Sequence, residues 1–447
     1  MYKLKFVSKT KNRRKALLLL AFLASTSLVT AGEQGQSANS WIRQLHAGQN
    51  GIPAQIRGVD ELFSVALANN SELQSQYAEW QMRMEEVKTV VGLPDPNLAI
   101  GYFVEPVETA QGPQQAKISF TQTIPWMSKT KSAIQSKKAR VDQAFDVLND
   151  NRLKLKRDVA ILWSEAAFLN EALLIQEQKI ALSKDLEEVL NIQYQSASIS
   201  HEKLFDTQIQ TLLLVDHMKG LKDRKYRLNI KLSALLEVDA PLADSVLALA
   251  SLKAYKPLEN TQVENAHPRL KHLSDLKQET IALKHLAQAE YFPDFRIGLE
   301  YILTDKRTVS GVEVVESGRD PLVLSAGISL PIWNWRSKKA GVKASEWRET
   351  KIEALINSQT IMLNQEYELS RSKLGEDLRK IALYTEQLIP KALEVEQVME
   401  QAYISQSADI STLTMVRQKR LEQNLSLLEA QLSAAIQMAN VTYLEGE

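Results

Sequence analysis

Cysteine is absent from all 447 residues. That excludes disulfides, thiolate metal sites, a cysteine nucleophile and lipid attachment through an N-terminal cysteine. Long apolar runs are missing too. Nothing past the N-terminal stretch approaches the 18 or so apolar residues a membrane helix needs, so entry into a membrane would require a β-barrel. Glycine (16) and proline (13) are few and unevenly spread, with neither in the 94 residues from Trp126 to Lys219. The six histidines (His46, His201, His217, His267, His272, His285) do not cluster. His267 and His272 are five apart, off the i, i+4 spacing that puts two ligands on one helical face. Phosphate-binding glycine loops and nucleophile motifs are lacking. No catalytic residue, cofactor or metal site is expected, and the nine methionines read as packing filler.

Charge balances at 54 basic against 54 acidic residues, but not uniformly. Residues 1–31 hold seven basic side chains (Lys3, Lys5, Lys9, Lys11, Arg13, Arg14, Lys15) and no acid. An apolar run from Ala16 to Val29 follows, then Val29-Thr30-Ala31, small residues at cleavage spacing. This is the pattern of a secretory signal peptide, a membrane anchor being the alternative. Without it, 47 basic residues face 54 acidic ones, a net charge of −7. That argues against a nucleic-acid partner, which would want a basic surface.

The chain says the same long thing twice. Glu177-Gln178-Lys179-Ile180, then Tyr194, Ser196 and Ser198, are echoed 209 residues later by Glu386-Gln387-Leu388-Ile389, Tyr403, Ser405 and Ser407. Ile124-Pro125-Trp126 is echoed by Leu330-Pro331-Ile332-Trp333, and Leu93-Pro94-Asp95 by Phe292-Pro293-Asp294. A period this long marks duplication of a whole structural unit. The expected organisation is a signal peptide (1–31), a loose Gly/Gln/Ser leader (32–58), a first repeat (59–237), a linker (238–262) and a second repeat (263–447).

Each repeat joins short strands to very long helices. In the first, Val59 to about Val91 has helical periodicity. Asn97–Val104 and Ala116–Thr123 read as two strands joined by a loop over 105–115. One helix is then expected from Ser128 to about Gln193, ~100 Å at 1.5 Å per residue. Its 4-3 seam runs Val141, Phe145, Leu148 and onward through Gln176, Ile180, Ser183, Glu187 and Leu190, the pattern of a coiled coil. The polar cluster Gln195–Ser200 reverses the chain into a helix over about 202–237. The second repeat offers a helix over 263–291, strands Phe295–Ile302 and Leu322–Leu330, and a long helix from about Trp335 to Tyr403. Pro390 should kink that helix. A final helix covers about Ile410–Leu444.

Four strands are too few to close a barrel in lipid, where unpaired edges cost several kcal/mol per group. Closure therefore needs several chains, and two hairpins per chain in a trimer give twelve strands. Trp126, Trp333 and Trp335 lie where strands hand over to helices, with Tyr291 and Phe292 at the opposite transition. They fit a membrane-interface girdle, or packing anchors at a sharp bend.

With these features in place, the chain resembles the TolC-type outer-membrane efflux proteins over nearly all of its length past residue 31. The duplicated helix–strand–strand–helix–helix unit, Pro-Asp before the first strand, the Pro-aromatic step after the second and Tyr-x-Ser at each reversal carry the resemblance. It implies a mainly α fold with a β-barrel portion: long coiled-coil hairpins forming an α-barrel, and a homotrimer sharing one twelve-stranded barrel in outer-membrane lipid. It also implies a passive exit duct extending into the periplasm. Its partners would be a periplasmic adaptor (membrane fusion) protein and an inner-membrane pump of the resistance-nodulation-division type. The block Leu93-Pro94-Asp95-Pro96, Glu105-Pro106-Val107-Glu108, Gly112-Pro113 and Ile124-Pro125-Trp126 looks most like heavy-metal efflux relatives. Drug efflux or polypeptide secretion keeps the fold and changes the cargo. A periplasmic coiled-coil adaptor with a soluble sheet is a different class, which the duplication opposes.

The resemblance places the periplasmic tip, and adaptor contact, at Tyr194, Ser196, Ala197 and Ser200 in the first repeat and at Tyr403, Ser405, Gln406 and Asp409 in the second. Family tips commonly read Tyr-x-x-Gly-x-x-Ser. Here Ala197 and Gln406 stand at the glycine positions, so a different turn geometry is expected. Asp206 and Asp409 are the candidate pore acids, with solvated carboxylates outside the lumen as the alternative. Three copies of His201 near the axis could touch a metal, although a solvated turn residue is the plainer reading.

Overall fold

The computed structural model describes residues 41–45, 53–196, 198–239, 242–243, 247 and 267–446. The signal-peptide segment, most of the linker and Ala197 lie outside the described residues.

The breaker-free stretch forms one helix, α3 (Met127–Gln195), 69 residues long. It begins directly after Pro125-Trp126, where proline disfavours helix for the residue before it. It is preceded by α1 (Val59–Asn69) and α2 (Ser71–Lys88), and followed by α4 (His201–Leu235). The single helix expected over 59–91 is thus two. Asn70 is extended, and its side chain accepts a hydrogen bond from Leu73 N at 2.7 Å, starting a new helix as an N-cap. The break is fixed from outside as well, since Glu237 Oε1 accepts from both Ser71 N and Ser71 Oγ.

The second repeat runs α5 (Pro268–Ala289), β3 (Asp294–Thr304), the short strands β4 (Thr308–Val309) and β5 (Val312–Glu313), and β6 (Leu322–Ser329). Then come α6 (Trp335–Leu383), α7 (Ile389–Ile404) and α8 (Ile410–Glu445). Between α6 and α7 lies a π-helical turn, Tyr384–Leu388. Ile389 N–H bonds to Tyr384 O, an i→i−5 bond. The disturbance expected from Pro390 therefore appears as a π segment on its N-terminal side. Proline has no N–H for Glu386 O, and its ring crowds that carbonyl.

The strands are longer than their apolar cores suggest. β1 spans Asn97–Thr109 and β2 spans Gly112–Ile124, so the loop expected over 105–115 is mostly strand. Pairing lapses between Tyr102 and Val107, a bulge that accommodates Pro106 without a ladder bond. Only Ala110 and Gln111 turn the chain.

The main core lies where α1, α3, α4 and α8 meet, around Leu62, Leu67, Leu148, Leu155, Val159, Trp163, Leu169, Leu228, Leu232 and Leu428. Part of the leader joins it: residues 41–45 are helical, Leu45 and Ile56 are buried, and Trp41 packs against the core beneath the Arg152 guanidinium. The looseness expected of 32–58 does not hold for these residues, whose apolar side chains find partners. Along α3 the seam keeps the expected positions Leu148, Leu155, Leu169, Gln176, Ser183 and Leu190. Its other line keeps Val159 and Ala166 and then moves by one, to Ala172, Lys179 and Leu186 in place of Leu173, Ile180 and Glu187, where α3 packs against both α4 and α8.

Candidate functional site: an amphipathic sheet and a two-reversal tip

Four strands form one antiparallel sheet in the order β1-β2-β3-β6. The register places Leu98 opposite Phe120, Phe120 opposite Leu299 and Leu299 opposite Leu324. The next row is Ile100, Ile118, Tyr301 and Leu322. Side chains alternate faces along a strand, so these rows share one face, with Ile297, Ile328 and Phe295. That face is apolar and exposed: Ile100 is 75% and Leu324 77% accessible. The opposite face carries mainly small or polar side chains, Ala99, Gly101, Lys117, Ser119, Thr121, Arg296, Gly298, Glu300 and Ser325, with Ile302 and Val323 among them. A Cβ on Gly298 would lie 2.5 Å from Ser325 Oγ, so that face is closely packed there. An apolar outer face backed by a polar inner one is the dyad pattern of a barrel wall in lipid.

At its far end the sheet is covered. Gly318 N donates to Gln111 O at 2.7 Å, and Asp305 N to Pro113 O at 2.9 Å. The loop after β3 thus folds over the β1–β2 turn. Gly112 (φ +126°) has no room for a side chain, since a Cβ would lie 1.9 Å from Asp305 O.

At the helical end of the sheet the three candidate interface tryptophans part company. Trp126 is partly buried, stacked on Phe292 at 5.1 Å and Phe295 at 5.8 Å, and its backbone N–H donates to Asp294 Oδ1. Lys129 Nζ completes this junction, 2.8 Å from Asp294. Trp333 (88% accessible) and Trp335 (53%) face outward.

At the other end of the molecule the two reversals lie side by side. Their backbone bonding repeats at the 209-residue offset: Ser198 N to Gln193 O at 2.9 Å, and Ser407 N to Ala402 O at 2.8 Å. These are the 6→1 bonds of a Schellman helix end. Serine hydroxyls pair in each, Ser196 with Ser198 and Ser405 with Ser407, both at 3.0 Å. Gln406 has φ +57°, so the second turn keeps the left-handed residue that glycine tolerates best, and the expected change of geometry does not occur there. Tyr194, Ser196, Ser200, Tyr403, Ser405 and Gln406 are all exposed at this end. The His201 ring lies between Tyr194 (4.8 Å) and Phe205 (3.9 Å).

The two candidate acids differ. Asp206 is exposed on α4. Asp409 caps α8, accepting from Thr412 N (2.8 Å) and Thr412 Oγ1 (2.7 Å), and pairs with Lys203 Nζ at 2.8 Å. Lys203, then Thr412, hold its carboxyl down to about 2. Ile410 packs against Leu186, Leu190 and Leu204 of the first hairpin beside it. Sequence reasoning missed Lys203. A lysine 206 residues upstream carries no local signal of the contact.

No family model matches the sequence, and no curated protein matches it. The structure does have counterparts. The outer-membrane channel OprN superposes with a TM-score of 0.69 at 12% identity, covering 91% of this chain and 92% of that one. The chain has the fold of the TolC-type outer-membrane channels. The CmeC outer-membrane channel of Campylobacter jejuni gives 0.67 at 12% identity, over 87% and 85% of the two chains. The open-state MtrE channel of Neisseria gonorrhoeae gives 0.67 at 13%, over 89% and 93%. The expected architecture of tandem strand pairs on long helical hairpins is thus that of a channel protomer.

Proposed function

We propose that this protein is an outer-membrane duct, assembled as a homotrimer, through which substrates delivered by an inner-membrane pump and a periplasmic adaptor leave the cell. The observation that carries this is the sheet: an exposed apolar face, a polar reverse face and two outer strands, β1 and β6, at open edges. A single chain cannot close such a sheet in lipid, whereas three copies would close a barrel of twelve strands.

The helices support the same assembly. They run in the order α4, α3, α8, then α6 and α7, so α4 and α7 border the layer. Each carries exposed apolar side chains, Phe205, Ile209 and Leu212 on α4 and Val395 and Val398 on α7. A neighbouring copy would cover these stripes, as it would pair the open strand edges. Solved channels of this fold are described as outer-membrane proteins, which supports the location.

In this reading the paired reversals, at Tyr194–Ser200 and Tyr403–Asp409, form the periplasmic tip and meet the adaptor. Trp333 and Trp335 lie at the lipid interface. The cargo suggested by the sequence blocks around Pro94 and Pro125 is metal cations. Among the described residues no group of three His, Asp or Glu side chains could hold a metal ion. In this reading Asp206, exposed on α4, and Asp409, paired with Lys203, are the acids along the cation path.

The test is mass analysis of the protein extracted from outer membranes in detergent. A stable trimer is expected. A water-soluble monomer or dimer would overturn the barrel and leave a periplasmic coiled-coil protein.

A further inference from the structure

Below the sheet, two carboxyl groups meet where α3 descends from β2 beside α5, which leads up to β3. Asp146 of α3 is in side-chain contact with Asp275 of α5, and Asp142, one turn earlier on α3, is exposed. The site is about 30 Å along α3 from its start. Asp146 is 3% exposed, and its Oδ2 is fully buried without a hydrogen-bond donor.

The charged groups around this point pair elsewhere. On α5, Glu279 accepts from Arg140 Nε (2.6 Å) and Gln143 Nε2 (2.9 Å), and His272 Nδ1 lies 3.3 Å from Gln143 O. On α2, Glu79 pairs with Arg83, and Glu86 with Arg83 and Lys137. One turn further along α3, Asp150 has Lys154, Arg269 and the Tyr443 hydroxyl of α8. Lys271 of α5 and Lys138 of α3 act on the acids only through space. Among the described residues no cation lies within ion-pair distance of Asp142, Asp146 or Asp275.

Asp146 is buried and Asp275 half-buried, and two carboxylates in contact there cannot both ionise cheaply; one shared proton turns their repulsion into a hydrogen bond. Burial, then the contact with Asp275, pushes Asp146 up to about 8.

We propose that Asp146 and Asp275 hold one proton between them, making the contact of α3 with α5 a proton-sensitive joint. With the proton bound, the joint is closed by an O–H···O bond. When the proton leaves to solvent, two like charges face each other and the joint loosens. Because α3 and α5 attach directly to β2 and β3, the loosening acts at the junction of sheet and helices. The joint is a property of one chain and does not depend on the channel reading.

The sign is fixed by linkage. The unfolded chain releases the Asp146 proton near the ordinary carboxylate value, and the folded chain only near about 8. Between the two, the folded state binds more protons, so stability falls as pH rises and levels off above about pH 8.

Thermal unfolding of the purified full-length protein from about pH 5 to about pH 9 tests this. The midpoint of the wild type should fall across the range. Asp146→Asn should raise the midpoint at the alkaline end and flatten the fall, because asparagine can donate to Asp275 at any pH. A variant curve parallel to the wild type throughout overturns the proposal. Should the variant not fold, infrared spectra of the wild type decide. A protonated-carboxyl stretch present at about pH 6 and lost by about pH 9 supports the joint, and its absence at about pH 6 overturns it.

Discussion

Lys203 Nζ lies 2.8 Å from Asp409 Oδ2, joining the first helical reversal to the second. The same carboxylate caps α8 through Thr412. Because the folded value is depressed to about 2, this stabilisation is complete above the ordinary carboxylate range and is lost only as pH falls through about 2. Both side chains are about half exposed, so the ion pair itself is worth less than about 1 kcal/mol. The cap adds about 1 kcal/mol. Asp409→Asn should cut the ion pair and keep the cap, since asparagine caps as well as aspartate. Asp409→Ala should lose both. Hydrogen exchange at residues 410–413 should be near wild type in the first variant and faster in the second. Equal protection in the two would remove the capping role.

The sheet makes a prediction that separates its faces. Leu299 and Leu324 are opposite one another in the middle of the apolar face. Arginine at Leu299 would sit in hydrocarbon and cost about 2–4 kcal/mol. Lysine at Ser119, on the polar face between Ala99 and Glu300, should cost little. On gels run without boiling, Leu299→Arg should reduce the assembled species and Ser119→Lys should leave it intact. A reversed order would mean that the faces have been assigned backwards.

Much of this was legible in the amino-acid order because the signals are local and repeated. Ninety-four residues without glycine or proline can hardly be anything but long helix, and α3 fills most of them. The strand cores announced themselves by alternation, but their ends did not. Glu105-Pro106 reads as loop, and only pairing with β2 across a bulge makes it strand. The heptad slip from Ile180 to Lys179 has a similar cause. A helix with two neighbours buries a line that no single seam predicts, and Lys179 is covered there while its amine reaches Glu422. Tyr194 and Tyr403, at the two reversals, are marked by the repeat. The Lys203–Asp409 contact is not, because complementary charges 206 residues apart are indistinguishable from chance.

Pro390 offers a test of cause at the π-helical turn. With Pro390→Ala, the new N–H can bond to Glu386 O, and the ring no longer crowds that carbonyl. The turn Tyr384–Leu388 should revert to α-helix, recovering part of the ~3 kcal/mol that an interior proline costs. Exchange at amides 385–391 should slow by about tenfold or more for each 1.4 kcal/mol regained. If protection is unchanged, the π turn is held by packing against α8 rather than by the proline.

At the second reversal the strain is carried by one residue. Gln406 is left-handed at φ +57°, a conformation that costs a non-glycine residue about 1 kcal/mol or more. It is retained because the two bonds donated just after it depend on it: Ser407 N to Ala402 O and Ala408 N to Ala402 O. Gln406→Gly should relieve the strain and keep the bonds, although glycine's extra freedom in the unfolded chain returns part of the gain. A net stabilisation of about 0.5 kcal/mol is expected at amides 405–408. Gln406→Val should do the opposite, since a β-branched side chain resists positive φ, and should destabilise the same amides by about 1 kcal/mol or more. A glycine variant no more protected than wild type would show that the Gln406 side chain makes a compensating contact when the tip is assembled.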